Sequence, residues 1–260
     1  MFDSGFGGLT VARALIDLLP DGDLVYFGDT ARYPYGPRDL DEVRSFSLQI
    51  GQLLRDRFGV GLLVVACNTA SAAALGDLEA ELDVPVVGVI EPGLRAATQV
   101  SQRGRVGVIG TVGTVASGAY QEAHAALGTP GELVCAACPG FVEFVERGET
   151  SSDQVRVLAE RLLAPMVDAD VDALLLGCTH YPYLARVIGD VMGREVVLVS
   201  SADETAFEVR RLLGERGAAG SGRVRFLSSG DPLLFAQLGR RLLGPELDRV
   251  EPHVWDTGAG

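Results

Sequence analysis

The chain has no lysine; all 22 of its basic residues are arginine. That absence removes two mechanisms. A pyridoxal phosphate enzyme needs a lysine amine to form its imine, and a phosphate-binding P-loop needs the lysine of its motif. Arginine replaces neither, because it forms no imine and keeps its proton. A GC-rich genome would produce the same bias, but the chemical exclusion holds either way. Positive charge is scarce overall, with 35 acidic residues against 22 basic and a formal net charge of -13. No basic patch is then available for counterion release on nucleic acid or for docking to an anionic membrane, and neither partner is expected. Apolar runs stay below bilayer-spanning length, and no basic-then-apolar leader opens the chain. Four cysteines in 260 residues do not make a disulfide scaffold. Reduced thiols and a cytoplasmic location are expected.

What remains is an apolar, glycine-rich chain, 47% hydrophobic with 33 glycines, of the kind that folds as α/β. Strand-like runs lie near Leu24–Phe27, Leu62–Cys67, Pro85–Ile90, Arg105–Ile109, Glu132–Ala136, Ala173–Cys178, Glu195–Val199 and Val224–Leu227. Helical periodicity lies between them, as in Leu40–Phe58, Ser71–Leu82, Val155–Val167 and Glu204–Leu213. The alternation predicts βαβ units and mostly parallel sheets.

The two halves echo each other. Gly5-Phe6-Gly7-Gly8-Leu9-Thr10-Val11 is answered by Gly110-Thr111-Val112-Gly113-Thr114-Val115, each a glycine turn entering a helix. Later in each half an apolar run ends in a thiol and a polar pair: Val64-Val65-Ala66-Cys67-Asn68-Thr69 and Leu175-Leu176-Gly177-Cys178-Thr179-His180. Two pseudo-symmetric lobes are therefore expected, residues 1–92 with about 205–260 in the first and 93–204 in the second, with the active cleft between them. Gly214–Gly222 reads as a flexible surface loop and the tail after Gly244 as weakly patterned and partly loose. The first glycine loop follows Met1-Phe2-Asp3 directly, leaving almost no strand before it. Since a strand of about five residues is usual there, added apolar residues upstream of Phe2 are expected to raise the melting temperature.

Cys67 and Cys178 fall where strand gives way to helix, the carboxyl end at which open α/β sheets bind ligands. Either cysteine alone would read as a small core residue; the repeated setting points to chemistry. Helix N-termini there favour a thiolate or a substrate carboxylate. His180, two residues beyond Cys178, is a candidate acid/base partner; His124 and His253 carry no assignment. Cys135-Ala136-Ala137-Cys138 has no second ligand pair to complete a zinc site and sits mid-strand rather than at a helix start, so it reads as structural. Asp3-Ser4-Gly5-Phe6-Gly7-Gly8 lacks dinucleotide-loop spacing; its aspartate is a turn residue or a group beside a thiol. Gly28–Gly36 reads as a βα loop, with Asp29-Thr30 equally suited to a helix cap.

Together these segments resemble the glutamate racemase family of the cofactor-independent aspartate/glutamate racemases. The resemblance runs through Asp3–Leu9, Gly28–Gly36, Ala66–Ala70, Val89–Pro92, Gly110–Val115, Cys138–Glu146, Leu176–Pro182 and Ser229–Pro232, most of the chain in order. Ala-Cys-Asn-Thr paired with Gly-Cys-Thr-His-Tyr-Pro is its most specific part, and Gly-Asp-Thr-Ala-Arg-x-Pro-Tyr-Gly favours glutamate over aspartate. The short segment before the first glycine loop is the departure. The resemblance implies Cys67 and Cys178 as catalytic bases, assisted by Asp3, His180 and Glu146. It implies substrate binding by Asp3, Ser4, Tyr35, Gly36, Asn68, Thr69, Thr179 and His180, with Thr111 and Thr114 as weaker candidates. It further implies glutamate as substrate, D-glutamate supplied for peptidoglycan, no cofactor or metal, and a homodimer. The rival expectations are a racemase or isomerase of another small acid, and, from another class, a cysteine-rich metal-binding or redox module.

Overall fold

The computed structural model describes residues 1–214, 220–244, 246–247 and 249–255. Among the described residues ten strands form two sheets, all of whose pairings are parallel. The six-stranded sheet has the order β10 (Val250–Pro252), β9 (Val224–Ser228), β2 (Leu24–Gly28), β1 (Phe2–Asp3), β3 (Leu63–Val65), β4 (Val86–Gly88). The four-stranded sheet has the order β6 (Glu132–Ala137), β5 (Arg105–Gly110), β7 (Ala173–Gly177), β8 (Val197–Val199).

Each sheet is covered on both faces, which is why its strands read as unbroken apolar runs. Side chains alternate across a strand, and the packing follows. In the first sheet Tyr26, Val64, Ala66 and Phe226 pack with helices α1 (Leu9–Leu18), α10 (Ser201–Leu213) and α11 (Pro232–Leu243). Their neighbours Phe27, Leu63, Val65 and Leu227 pack with α2 (Leu40–Phe58) and α3 (Asn68–Glu81). In the second sheet Ile109, Leu174 and Leu176 face α8 (Asp153–Asp168) and α9 (Ala185–Met192). Val106, Val108 and Leu175 face α4 (Ile90–Val100) and α6 (Ala119–Leu127). Two short helices, α5 (Val112–Ala116) and α7 (Phe141–Arg147), follow β5 and β6.

Local chemistry sets the helix ends. The Asp39 side chain accepts the Asp41 N–H at the start of α2, and Gly59 closes it with φ 60°. Acidic Asp41 and Glu42 open that helix and Arg55 and Arg57 end it, each complementing the macrodipole. Its bounds coincide with those expected from periodicity alone.

Three readings from sequence change. Strand β1 exists with only two residues because both neighbours hold it: Ala66 donates to Phe2 O at 2.9 Å and Asp29 to Asp3 O at 3.0 Å. In the tail, expected to be weakly patterned and partly loose, residues 250–255 are held: β10 adds to the sheet edge and Trp255 packs edge-on to Phe27 at 5.5 Å. Backbone pairing of three residues leaves no apolar period to read. Asp29 caps no helix: fully buried, its carboxylate accepts from Arg32, Tyr35, Ser229 and Trp255 and pins the 28–36 loop. Residues 215–219 of the expected surface loop and 245, 248 and 256–260 of the tail lie outside the described residues.

Candidate active site

The two thiol loops meet. Cys67 is the last extended residue after β3 (φ -79°, ψ 124°), and Asn68 and Thr69 already belong to α3. Its sulfur receives the Ala70 N–H at the helix start, and its thiol donates to Ser4 Oγ at 3.7 Å. Cys178 follows β7 and leads, through Thr179 and His180, into a single 3₁₀ turn, Tyr181–Leu184, rather than directly into an α-helix. Its sulfur lies 4.0 Å from His180 Nδ1.

Both thiols are buried, 6% and 7% exposed, and both line one cavity of about 90 Å3. That is far smaller than the several hundred Å3 of a nucleotide-sized site. The first sheet contributes Ser4, the 33–37 loop and Cys67–Thr69; the second contributes Thr111, Val112, the 138–143 region and Cys178–Tyr181. Among the described residues no arginine lines it, and His180 is the one candidate cation.

The thiols have different surroundings. Burial, and then the negative charge of Asp3, push the Cys67 thiol up to about 12. For His180, burial opposes the charged form, but its hydrogen bond to Cys178, the nearby Glu146 carboxylate and the negative charge of Cys178 and Asp3 outweigh it and raise the imidazole to about 10. Glu146, in the last turn of α7, places Oε1 3.7 Å from His180 Nε2. Asp3 lies beneath the cavity rather than on its wall. It is fully buried, accepts from Gly5 N at 2.8 Å and Thr179 Oγ1 at 3.4 Å, and is held above its usual range by burial against the pull of His180. Gly7 packs on the same corner: a Cβ there would stand 2.2 Å from Thr179 Oγ1 and 2.6 Å from His180 Nδ1.

The remaining candidates divide by role. Thr69, Thr111 and Thr114 bring three hydroxyls within 3.0 Å of one another, joining α3 to α5 across the cleft. Asn68 Nδ2 is a buried donor with no hydrogen-bond partner among the described residues. The Tyr35 hydroxyl is engaged by Asp29, so Tyr35 and Gly36 face the cavity as a pinned loop. Tyr33 was not singled out from sequence, yet its ring lines the cavity 6.1 Å from the His180 ring. Cys138, read from sequence as structural, stands on the cavity wall, while Cys135 sits within β6. The carboxyl-end rule that finds Cys67 and Cys178 also finds the 138–143 segment, because it follows β6 directly. Among the described residues no cluster of three or more metal-ligating side chains occurs, and no helix is long and apolar enough to cross a membrane.

A small cleft between two parallel sheets, lined by one thiol from each, is the setting in which the comparisons with known proteins place an isomerase of the racemase class. The model of the Asp/Glu/hydantoin racemase family matches residues 10–207, and the chain belongs to that family. It is 55% identical to the glutamate racemase of Parafrankia sp. (strain EAN1pec) over 256 residues, 96% of this chain and 92% of that protein. Among solved structures it superposes on a glutamate racemase from Bacillus anthracis with a TM-score of 0.90 at 40% identity, covering 98% of this chain and 96% of the other. A Francisella tularensis glutamate racemase in complex with D-glutamate gives 0.89 at 33% identity, with 98% and 96% covered.

Proposed function

We propose that this protein is a glutamate racemase that interconverts L- and D-glutamate by two-base proton transfer at Cα. The observation that carries the reading is that Cys67 and Cys178, from different sheets, line one small cavity. Racemisation takes a proton from one face of Cα and returns one to the other, which a single fixed base does not do. One sulfur, as thiolate, removes the Cα proton; the other, as thiol, delivers its own to the opposite face. Their protonation states are then exchanged, ready for the reverse reaction.

The site electrostatics suit an amino-acid substrate. With Cys67 near 12, ionising it in the empty cavity at pH 7 costs ~7 kcal/mol at 1.36 kcal/mol per unit. The substrate α-ammonium, entering beside Cys67 and Asp3, supplies the missing cation and offsets much of that cost. On the other side the His180 imidazolium, backed by Glu146, stabilises a Cys178 thiolate. Negative charge building on the α-carboxylate is met by preorganised neutral donors, Asn68 Nδ2, Thr69 and N–H groups at the start of α3, with Thr179 beside them and its hydroxyl proton held by Asp3. Ser4, Tyr35 and Gly36 complete the substrate's surroundings, and Thr111 and Thr114 hold Thr69. Supply of D-glutamate for peptidoglycan, a cytoplasmic homodimer, and the division into lobes of 1–92 with about 205–260 and of 93–204 belong to the same reading.

The test is purified protein with L-glutamate in heavy water. D-glutamate should form carrying deuterium at Cα while early residual L-glutamate stays protiated, and aspartate should turn over far more slowly. Inversion without solvent label, or no inversion at all, overturns the proposal.

A further inference from the structure

The Asn68 side chain has two chemically opposite ends, and only one of them can greet a carboxylate. Its Nδ2 is buried without a partner in the residue that lines the cavity. Its Oδ1 accepts a hydrogen bond of 2.7 Å from the Tyr120 hydroxyl. Tyr120 lies outside the cavity wall, in the first turn of α6, one sheet away from Asn68. Its ring has 1% exposure and is fixed among Ile90, Leu94, Val106, Val108 and Leu175. The hydroxyl reaches the cleft floor because Gly177, immediately before Cys178, has no side chain: a Cβ there would stand 2.8 Å from Tyr120 Oη.

We infer that Tyr120 is a positioning residue for Asn68, its hydroxyl locking the amide with the NH2 end toward the cavity so that a substrate carboxylate always meets a donor. The inference rests on the functional reading above. A buried phenol proton needs an acceptor, and Asn68 Oδ1 is the one this hydroxyl has among the described residues. A flipped amide would strand that proton and aim a carbonyl oxygen at the carboxylate. Burial also keeps the phenol protonated and therefore a donor, with the charges of Cys135 and Cys178 acting in the same sense. The same bond ties α3 of one sheet to α6 of the other beneath the two thiols, so the lock is made only when the lobes are together.

The test is a double-mutant cycle in KM, which does not depend on the fraction of correctly folded enzyme. Y120F and N68A should each raise KM for L-glutamate about tenfold, the loss of one charge-assisted hydrogen bond. Y120F made in the N68A background should raise it by less than twofold further, because its action runs through Asn68. An unchanged KM in Y120F, or increases that multiply in the double variant, overturns the assignment while leaving the racemase reading intact. Wild-type protein that leaves L-glutamate unaltered overturns both.

Discussion

The Cys67 and Cys178 loops begin from the same plan and end with unlike equipment. Each thiol closes a buried parallel strand, and each is followed by a polar pair. Cys67 then stands at the N-terminus of a 14-residue helix, with a serine hydroxyl at 3.7 Å and a buried aspartate nearby. Cys178 enters a four-residue 3₁₀ turn and has an imidazole at 4.0 Å, itself backed by a carboxylate at 3.7 Å. A helix terminus supplies a fixed partial charge, whereas an imidazole supplies a whole one that can be gained or lost. The matched loops therefore bring two sulfurs to one cavity without giving them the same surroundings. In the proposed mechanism the substrate ammonium would be the cation beside Cys67, and His180 the cation beside Cys178.

The severest way to break the comparison is to remove a sulfur from either side. Cys67→Ser and Cys178→Ser should each lower the racemisation kcat by at least ~10³-fold, since a positioned acid/base group contributes 10²–10⁴ and a hydroxyl is far less acidic than a thiol. Each should retain elimination of a leaving group from one enantiomer of a β-substituted analogue, the two variants choosing opposite hands. Chirally resolved turnover checks this. Loss of the same hand in both variants would show that the thiols do not face each other.

That much was legible in the sequence because burial on both faces writes an apolar run, and the run ends where the sulfur sits. The α/β class, eight of the ten strands and the pairing of the thiol loops come from that signal. Strands β1 and β10, at two and three residues, carry no period to read and exist through backbone bonds to their neighbours. The same holds inside the site. Asn68, Thr69 and Thr179 lie within two residues of a thiol, and sequence adjacency brings them in. Tyr33 and Tyr120 act from a loop and a helix whose approach depends on how the two sheets sit together, and Asp29 acts through Ser229 and Trp255, some 200 residues away along the chain; no local pattern records either.

A gentler variant sharpens the difference between the thiols. His180→Asn keeps a polar side chain but removes the charge, and should cost about 10²-fold in kcat while leaving the Cys67 side intact. It also carries a stability signature. The folded state raises His180 from 6.5 to about 10, so it binds that proton more tightly than the unfolded chain. The resulting stability is fully present below pH 6.5 and is lost as pH rises through 10. Cys67, raised from 9.0 to about 12, acts with the same sign in a higher window. The buried Met1 amine, lowered from 8.0 to about 5, adds the same opposing trend to both proteins, so the difference is the readout: the urea midpoint of the wild type should fall relative to that of His180→Asn as pH rises from 6.5 to about 10. A parallel decline in both proteins would mean that His180 is not held as an imidazolium.

The smallest expected effect concerns the third thiol on the same wall. Cys138 is as buried as its neighbours, and burial, then the nearby charge of Cys178, push it up to about 12. Those two influences act alike on Cys67, so acidity does not separate them. What separates them is what each sulfur is given: Cys67 has the Ala70 N–H and Ser4, and Cys178 has His180. Cys138 has none of these and packs with Phe141, Leu163 and Tyr181 in an apolar cluster. Its backbone carbonyl, not its sulfur, is the engaged group, accepting the Tyr181 hydroxyl at 3.0 Å. Cys138→Ser should therefore change kcat by less than about twofold and lower stability by ~1 kcal/mol through a buried hydroxyl in apolar surroundings. Initial rates with both enantiomers and a urea melt measure the two. A kcat loss approaching that of Cys178→Ser would mean that a place on the cavity wall, rather than a partner for the thiolate, is what makes a cysteine here catalytic.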